Sequence, residues 1–308
     1  MSQERLWVTY ITLAISTAIW GTAFIAGKYA VESFEPITVA FLRFLGATLI
    51  LFPYMMYREK NIPKRTKKDW MLFAILGLTG IAIYNICFFM ASKFAPVIKS
   101  SLVIASNPVL ITLFAGLFLK EVISKKHVIG MVFALLGVLY IVSKGNFMAI
   151  LQLEFEWIDL ILLGAVLSWA AYSVVGRVVL RKFNSVVSTT YACLFGTLFL
   201  LPFTFMETTW SDLSEASMIS WLSILHMSIF VTVVSFIMYY NGIQKIGASK
   251  ASIFINVMPI SAVVLSVILL GEPFEFYHFV GAMLVLGGVY ISTLRGRSAT
   301  KKEEIKSA

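Results

Sequence analysis

Long apolar runs alternate with short polar segments along the whole chain. A helix that crosses the apolar interior of a membrane needs about 20 mostly apolar residues. Ten runs meet this requirement, and the helices they predict span residues 7–27, 37–57, 70–92, 98–119, 127–144, 157–177, 187–206, 218–241, 250–271 and 277–295. The segments between them contain Pro, Gly, Asn and charged residues, which are typical of turns and helix ends. The pattern predicts an all-α polytopic membrane protein with ten transmembrane helices.

The composition agrees with a lipid environment. Hydrophobic residues make up 59% of the 308 residues and charged residues 13%, whereas soluble domains have about 45–50% and about 25%. A soluble fold of this size would still expose roughly a quarter of its chain surface to water. These values exclude a soluble enzyme, a nucleic-acid-binding domain and a disordered chain. Cys87 and Cys193 lie inside apolar runs without metal-ligand neighbours, so neither a disulfide nor a metal nor a cofactor is predicted.

The basic residues sort to one side of the predicted helices. The formal net charge is +9. With the N-terminus in the cytoplasm, twenty Lys and Arg residues lie on the inner side, and only Lys28, Lys93, Lys99 and Lys144 lie on the outer side. Because cytoplasmic loops are enriched in Lys and Arg, this split predicts that both termini are cytoplasmic. The same bias accounts for the positive charge without a nucleic-acid partner.

The second half of the chain repeats the first. Seven identical pairs share a spacing of 151 residues: Trp70 and Trp221, Lys99 and Lys250, Ser101 and Ser252, Pro108 and Pro259, Glu121 and Glu272, Gly130 and Gly281, and Gly137 and Gly288. Nearer the start, Trp20 corresponds to Trp169 at a spacing of 149. Each unit holds five helices, and this odd number inverts the second unit in the membrane. Inverted repeats are an architecture of secondary transporters, with the site at the repeat interface.

Several short motifs resemble the EamA-type transporters of the drug/metabolite transporter superfamily. They are Trp20-Gly21-Thr22, Ser106-Asn107-Pro108 and Lys120-Glu121 in the first half, and the stretch 247–259 and Leu270-Gly271-Glu272-Pro273 in the second. The resemblance covers roughly residues 10–295. It implies a first five-helix repeat at 7–145, a second, inverted repeat at 157–297, and a cytoplasmic tail at 298–308. It also implies export or exchange of small metabolites across the bacterial inner membrane.

Prolines and asparagines mark candidate cavity positions in the fourth and ninth helices. Pro108 and Pro259 are predicted to lie mid-helix, where each removes a backbone hydrogen bond. Asn107 and Asn256 precede them by one and three residues. Bent helices in a membrane are tolerated where the backbone is buried in protein or lines a cavity. The alternative is a pair of packing kinks in which each Asn bonds a neighbouring helix.

Aromatic and amide side chains supply the other candidate cavity residues. Each Trp or Tyr combines an apolar ring with a polar atom, which suits a ligand of mixed polarity. The candidates are Trp20, Tyr84, Asn85, Trp169, Tyr172, Tyr239 and Asn241. Tyr239 and Asn241 could instead belong to an aromatic belt at the membrane surface.

Three basic and two acidic residues are the remaining candidates. Arg43 is the one charge predicted well within a helix, where it costs at least roughly 2.5–3.5 kcal/mol on insertion scales. It either has a partner or function there or extends to the outer surface. Lys99 and Lys250 begin the fourth and ninth helices and are candidate cavity-mouth cations, or else snorkelled anchors. Glu121 and Glu272 end these helices and are expected to serve the start of the next one.

These residues predict a secondary transporter that works by alternating access on a small molecule. Every acidic residue falls in a loop or at a helix end, which disfavours cationic drugs and carboxylate-based proton coupling. A neutral, zwitterionic or anionic, amino-acid-like metabolite is therefore expected, and the protein is expected not to be an enzyme. The alternatives are a membrane-embedded lipid-modifying enzyme and a non-transporting sensor or scaffold. The sequence leaves open whether the protein is a monomer or a homodimer.

Overall fold

The computed structural model describes residues 3–59, 63–119, 125–146, 148, 156–246, 254–255 and 257–293. These residues form ten apolar helices and contain no strand. Seven of the helices are long and apolar enough to cross a membrane, and three are shorter. The all-α polytopic fold with ten membrane helices is therefore confirmed. Asn256, Lys250, Glu121 and the predicted tail at 298–308 lie outside the described residues.

The helices are numbered α1 to α10 in chain order. Their bounds are α1 Gln3–Ala30, α2 Pro36–Arg58, α3 Lys67–Phe94, α4 Val97–Leu119, α5 Lys125–Val142, α6 Trp157–Val179, α7 Ser185–Glu207, α8 from Met218 to Ile246, α9 Val257–Leu270 and α10 Phe276–Thr293. A short helix, Trp210–Glu215, lies between α7 and α8.

The packing of the helices follows the inverted repeat. α1 packs on α8 and α9, and its counterpart α6 packs on α3 and α4. α2 packs on α8 just as α7 packs on α3, while α2 and α7 pair with each other across the repeats, as do α5 and α10. Each of these contacts made by one unit therefore has a matching contact made by the other. This confirms the arrangement as two inverted five-helix repeats.

The two ends of the bundle differ in charge. One end, called the basic end below, holds most of the Lys and Arg residues that the structure describes: Arg58, Lys64, Arg65, Lys67, Lys68, Lys125, Lys126, Arg177, Arg181 and Lys182. The other, called the opposite end, holds Lys28, Lys93, Lys99 and Lys144. The asymmetry is the one that the positive-inside rule uses to set orientation.

The position of Pro108 differs from the prediction. α4 is interrupted after Ile104, and its second segment begins at Asn107. Pro108 is thus the second residue of a helical segment, and Pro259 is the third residue of α9. The expectation that Pro108 lies mid-helix was wrong, because a new helical segment begins at Asn107. Residue 256 and most of those directly before it lie outside the described residues, so the mid-helix position of Pro259 stays a prediction. Proline is tolerated in a first turn because the N–H it lacks has no intrahelical acceptor there.

Two π-helical segments interrupt α3 and α8. They span Gly77–Ile83 and Met227–Val234. Their first residues are about 150 positions apart, as the repeat requires, so the two segments are symmetry mates. π-Helical turns are rare in proteins overall, but those that occur are often found at functional sites. Both segments lie in the middle of their helices and face the centre of the bundle.

Each π segment is crossed closely by a glycine of the other repeat. A Cβ added at Gly196 of α7 would lie 2.3 Å from Ile81 Cβ and 3.1 Å from Gly77 O. A Cβ added at Gly46 of α2 would lie 2.8 Å from Ser228 Oγ. Small residues let membrane helices approach closely. The glycines therefore hold α7 and α2 against the two π segments.

Replacing Gly196 by Ala is expected to lower the stability of the protein by about 1–3 kcal/mol, because overpacking a close contact forces backbone shifts. The thermal midpoint in detergent, followed by size-exclusion chromatography with fluorescence detection, measures the change. The control is Gly287→Ala, since a Cβ at Gly287 meets no atom within 4 Å. An equal midpoint for both variants would show that the α7 crossing is not tightly packed.

Candidate functional site

Arg43 lies at the centre of the bundle, between the two π segments. The residue is only 7% exposed. Its Nε donates to Thr232 Oγ1 at 3.2 Å, and its Nη1 donates to Asn85 Oδ1 at 3.2 Å. The guanidinium also lies 4.8 Å from the centroid of the Phe44 ring. Arg43 therefore points into the protein and does not extend to the outer surface.

Both hydrogen-bond partners of Arg43 also bind carbonyls of the π segments. Asn85 Nδ2 donates to Ile81 O at 2.9 Å and to Gly80 O at 3.2 Å. Thr232 Oγ1 donates to Met227 O at 3.0 Å. These bonds satisfy backbone groups that lipid could not satisfy. The guanidinium thus links the widened turns of the two repeats through neutral side chains.

The first aromatic cluster joins α1 to α8. Trp20 packs on Phe236 and Tyr239, with ring centroids 5.3 Å and 4.9 Å apart. Its Nε1 donates to Val231 O in the π segment at 3.1 Å. Tyr239 is 7% exposed, so it belongs to the bundle interior and not to a surface belt.

The second aromatic cluster is the repeat mate of the first and joins α6 to α3. The Trp169 ring lies 4.7 Å from Tyr84 and 5.1 Å from Tyr172. A Cβ at Gly80 would lie 2.1 Å from Tyr172, so the tyrosine ring packs directly on the π segment. Each cluster therefore joins a helix of one repeat to a helix of the other.

The remaining predicted amides are separated. Asn107 is buried at the break of α4, and its Oδ1 has no hydrogen-bond partner among the described residues. Asn241 is exposed and lines a cavity at the basic end. Pro259 is buried in α9. Asn256 and Lys250 lie outside the described residues.

The cavity at the basic end lies between α2, α7 and α8 and has a volume of about 250 Å³. The residues that line it are Leu51, Tyr54, Arg58, Glu59, Asn184, Ser185, Val186, Thr189, Phe236, Ile237 and Asn241. Phe236 also packs on Trp20. The cavity therefore reaches the first aromatic cluster.

Lys99 is held by acidic groups at the opposite end. Its Nζ lies 2.7 Å from Asp159 Oδ1 and 2.8 Å from Glu156 Oε2. The Lys99 and Asp159 side chains are only 7% and 8% exposed. The Lys99 ammonium holds the pKa of Glu156 below its usual value. In this conformation the charge of Lys99 is neutralised, so it is not the free cavity-mouth cation that the sequence predicts.

Glu272 binds a helix of the other repeat. Its Oε1 accepts from Val97 N at 2.7 Å and its Oε2 accepts from Ile98 N at 3.0 Å. These are the first N–H groups of α4, where a negative charge is favourable. The expectation that Glu272 serves the helix that follows it was wrong, because the folded chain brings α4 nearer.

Further bonds close the opposite end. Lys93 pairs with Glu35 at 2.6 Å. Ser220 Oγ donates to Tyr29 O and to Ser33 Oγ, at 2.8 Å and 2.9 Å. These contacts join α1, α2, α3 and α8.

Sequence reasoning missed Thr232 and Asp159. Asp159 had a local signal, since Glu156 and Asp159 form a capping box at the start of α6. Thr232 had none, because only the packing of α8 on α2 brings it to Arg43.

Comparison with known proteins identifies the family of this chain. The profile of the EamA-like transporter family matches residues 7–143 and 156–294, which are the two repeats. The chain belongs to this family. It is 32% identical to the uncharacterized transporter YetK of Bacillus subtilis (strain 168), over 93% of this chain and 87% of that protein. It is 30% identical to the uncharacterized transporter YyaM of the same organism, over 91% and 92%.

A more distant relative agrees with this assignment, and a solved structure has a similar fold. An uncharacterized transporter of Archaeoglobus fulgidus is 25% identical, over 93% of this chain and 98% of that protein. A solved structure described as a crystal structure of a protein has a TM-score of 0.64 at 20% identity, and covers 96% of this chain and 99% of that one. The EamA-like chain is thus a multi-pass membrane protein, and its named relatives are transporters.

Proposed function

We propose that this protein is a secondary transporter that moves a small amino-acid-like metabolite, neutral, zwitterionic or anionic, across the bacterial inner membrane by alternating access. It acts as an exporter, with both termini in the cytoplasm and the basic end facing the cytoplasm. The orientation is supported by the distribution of Lys and Arg residues.

The observation that carries this proposal is the difference between the two ends of a symmetric bundle. The opposite end is closed by the bonds of Lys99, Glu272 and Lys93. The basic end holds a cavity of about 250 Å³. Inverted repeats can exchange these two states by rocking one repeat against the other. In this proposal the described conformation is the half of the cycle in which the basic end is accessible, and the contacts of Lys182 with Asp69 and of Arg65 with Tyr191 are those that hold α3 and α7 together there.

The charges around the centre support the substrate class. Arg43 is a buried cation that donates to the neutral oxygens of Thr232 and Asn85, so an anionic group of a substrate would be favourable near it. A buried cationic substrate would need an acidic group or several strong acceptors. Among the described residues, the acidic side chains lie at the ends of the helices.

Counterflow in proteoliposomes tests the proposal. Liposomes loaded with an unlabelled amino acid are expected to accumulate the same tritiated compound faster than protein-free liposomes, for at least one member of an amino-acid and organic-acid panel. Quaternary ammonium dyes tested in parallel are expected to show no exchange. Exchange restricted to the dyes would contradict the substrate class, and no exchange of any compound would contradict transport.

A further inference from the structure

The cavity at the basic end has the features of a binding site separate from the Arg43 centre. Three helices form it, and its wall is mixed: Leu51 and Phe236 are apolar, whereas Arg58 and Glu59 carry opposite charges. Neither charged side chain has an ion-pair partner within the described part of the chain. A wall with one free cation and one free anion is complementary to a molecule that carries both charges.

The first turn of α7 supplies donors for the anionic group. Ser185 and Val186 line the cavity, and their N–H groups belong to the first helical turn, which has no intrahelical acceptors. The side chain of Asn184 caps this turn by accepting from Val187 N at 2.9 Å. It does not bond the N–H groups of Ser185 and Val186. The start of a 23-residue helix also carries a partial positive charge that favours an anion.

A buried hydroxyl gives independent support. Thr189 lies one turn further along α7, lines the same cavity and is only 4% exposed. Its Oγ1 is buried and has no hydrogen-bond partner among the residues that the structure describes. Hydroxyls elsewhere in α7 bond the carbonyl four residues earlier, as Thr190, Thr197 and Thr204 do. Leaving a buried hydroxyl without a hydrogen-bond partner costs free energy. The position of Thr189 next to a cavity therefore points to a ligand that supplies this partner.

We propose that the cavity between α2, α7 and α8 is a binding site for a small zwitterion, with the carboxylate at the α7 N-terminus and Arg58 and the ammonium at Glu59. Thr189 donates to the carboxylate, and the side chain of the ligand packs on Leu51 and Phe236. This inference rests on the proposed transport function. In that function the cavity is the first binding site on the path from the basic end to Arg43. Arg43 and Arg58 share a face of α2, since 43, 47, 51, 54 and 58 follow the helical spacing.

Protection of a cysteine measures occupancy without requiring transport. In a Cys87→Ala/Cys193→Ala background, Ile237→Cys places a thiol on the wall of the cavity. Labelling by N-ethylmaleimide in phosphatidylcholine nanodiscs is expected to slow about tenfold with saturating leucine or phenylalanine, and not with the matching amino-acid amides or deaminated acids. Equal protection by a deaminated acid would overturn the site. So would the absence of protection by any amino acid at about 10 mM, a concentration that nearly saturates a site of millimolar affinity.

Charge variants test the binding of the carboxylate and of the ammonium group separately. Arg58→Gln and Glu59→Gln are each expected to raise the concentration needed for half protection about tenfold, as the loss of a charge-assisted hydrogen bond would. Arg181→Gln at the same end is the matched control, since Arg181 is exposed and outside the cavity. Unchanged protection in both cavity variants, or equal loss in the control, would overturn the assignment.

Lipid and transport measurements distinguish the remaining outcomes. Phosphatidylethanolamine headgroups carry the same pair of charges, so nanodiscs with and without this lipid are compared. Slow labelling caused by the lipid alone would overturn the assignment to a free metabolite. Counterflow of an amino acid that gives no protection would overturn this site and leave the proposed function intact. Protection without counterflow would support the site and contradict transport.

Discussion

Replacing Asn85 by Asp is expected to stop substrate exchange, because it gives Arg43 a permanent counter-ion. The guanidinium of Arg43 is already buried, and its Nη1 lies 3.2 Å from Asn85 Oδ1. A carboxylate at this position attracts the guanidinium by about 5 kcal/mol at an effective dielectric constant of about 20. Desolvation of the new carboxylate offsets several kcal/mol of this. The change also removes the Nδ2 donor of Gly80 O and Ile81 O and sets a carboxylate oxygen against these carbonyls, so no net rise in the thermal midpoint is expected.

Transport is expected to be lost. If the anionic group of the substrate takes its place beside Arg43 during the cycle, a fixed carboxylate competes with it permanently. Both Asn85→Asp and Arg43→Gln should then lower the counterflow rate at least about 100-fold, equivalent to about 2.7 kcal/mol. Thr232→Val is the control, because it removes a neutral partner of Arg43 and keeps the cation. Exchange at the wild-type rate in Asn85→Asp would show that no substrate anion approaches Arg43.

The helices, the inverted repeat and the unusual position of Arg43 within a helix could be predicted because each depends on a local or periodic pattern. Runs of about 20 apolar residues identify membrane helices whatever the tertiary packing. The spacing of 151 residues between Trp70 and Trp221, and between Pro108 and Pro259, gives the symmetry directly. Arg43 stands out because a charge inside an apolar run is rare.

The π segments and the bonds between repeats could not be predicted in the same way. The composition of Gly77–Ile83 does not distinguish it from an ordinary helix, and its close contact with Gly196 of α7 is formed only in the folded protein. Glu272 binds Val97 and Ile98 across 175 and 174 residues of sequence. The partners of Lys99 are also distant, since Glu156 is 57 residues away. Such contacts exist only once the two repeats dock.

Replacing Lys99 by Met is expected to lower the free energy of unfolding by about 3–5 kcal/mol, because it leaves a buried carboxylate without its counter-ion. Lys99 lies 2.7 Å from Asp159 Oδ1, and both side chains are over nine-tenths buried. The measurement is unfolding in a denaturing detergent series, followed by tryptophan fluorescence. The matched control is Lys93→Met, whose pair with Glu35 is 29% and 50% exposed and is therefore expected to contribute about 0–1 kcal/mol.

A double variant shows whether the lost stability belongs to the ion pair. Lys99→Met/Asp159→Asn removes both buried charges and is expected to recover a large part of the loss, since a neutral pair carries no unpaired charge. Equal instability in the single and double variants would instead assign the loss to the packing of the Lys99 side chain.

The dependence on pH gives a second check on the same cluster. Lys99 lowers the pKa of Glu156 below its ordinary value of 4.5. A group whose pKa is lowered by folding stabilises the protein above its unfolded value, and this contribution is lost as the pH falls through the lower, folded value. The stability difference between the wild type and Glu156→Gln is therefore expected to be constant between about pH 6 and 8 and to shrink below about pH 4.5. A difference that grows as the pH falls would show that Lys99 does not hold this carboxylate in its charged form.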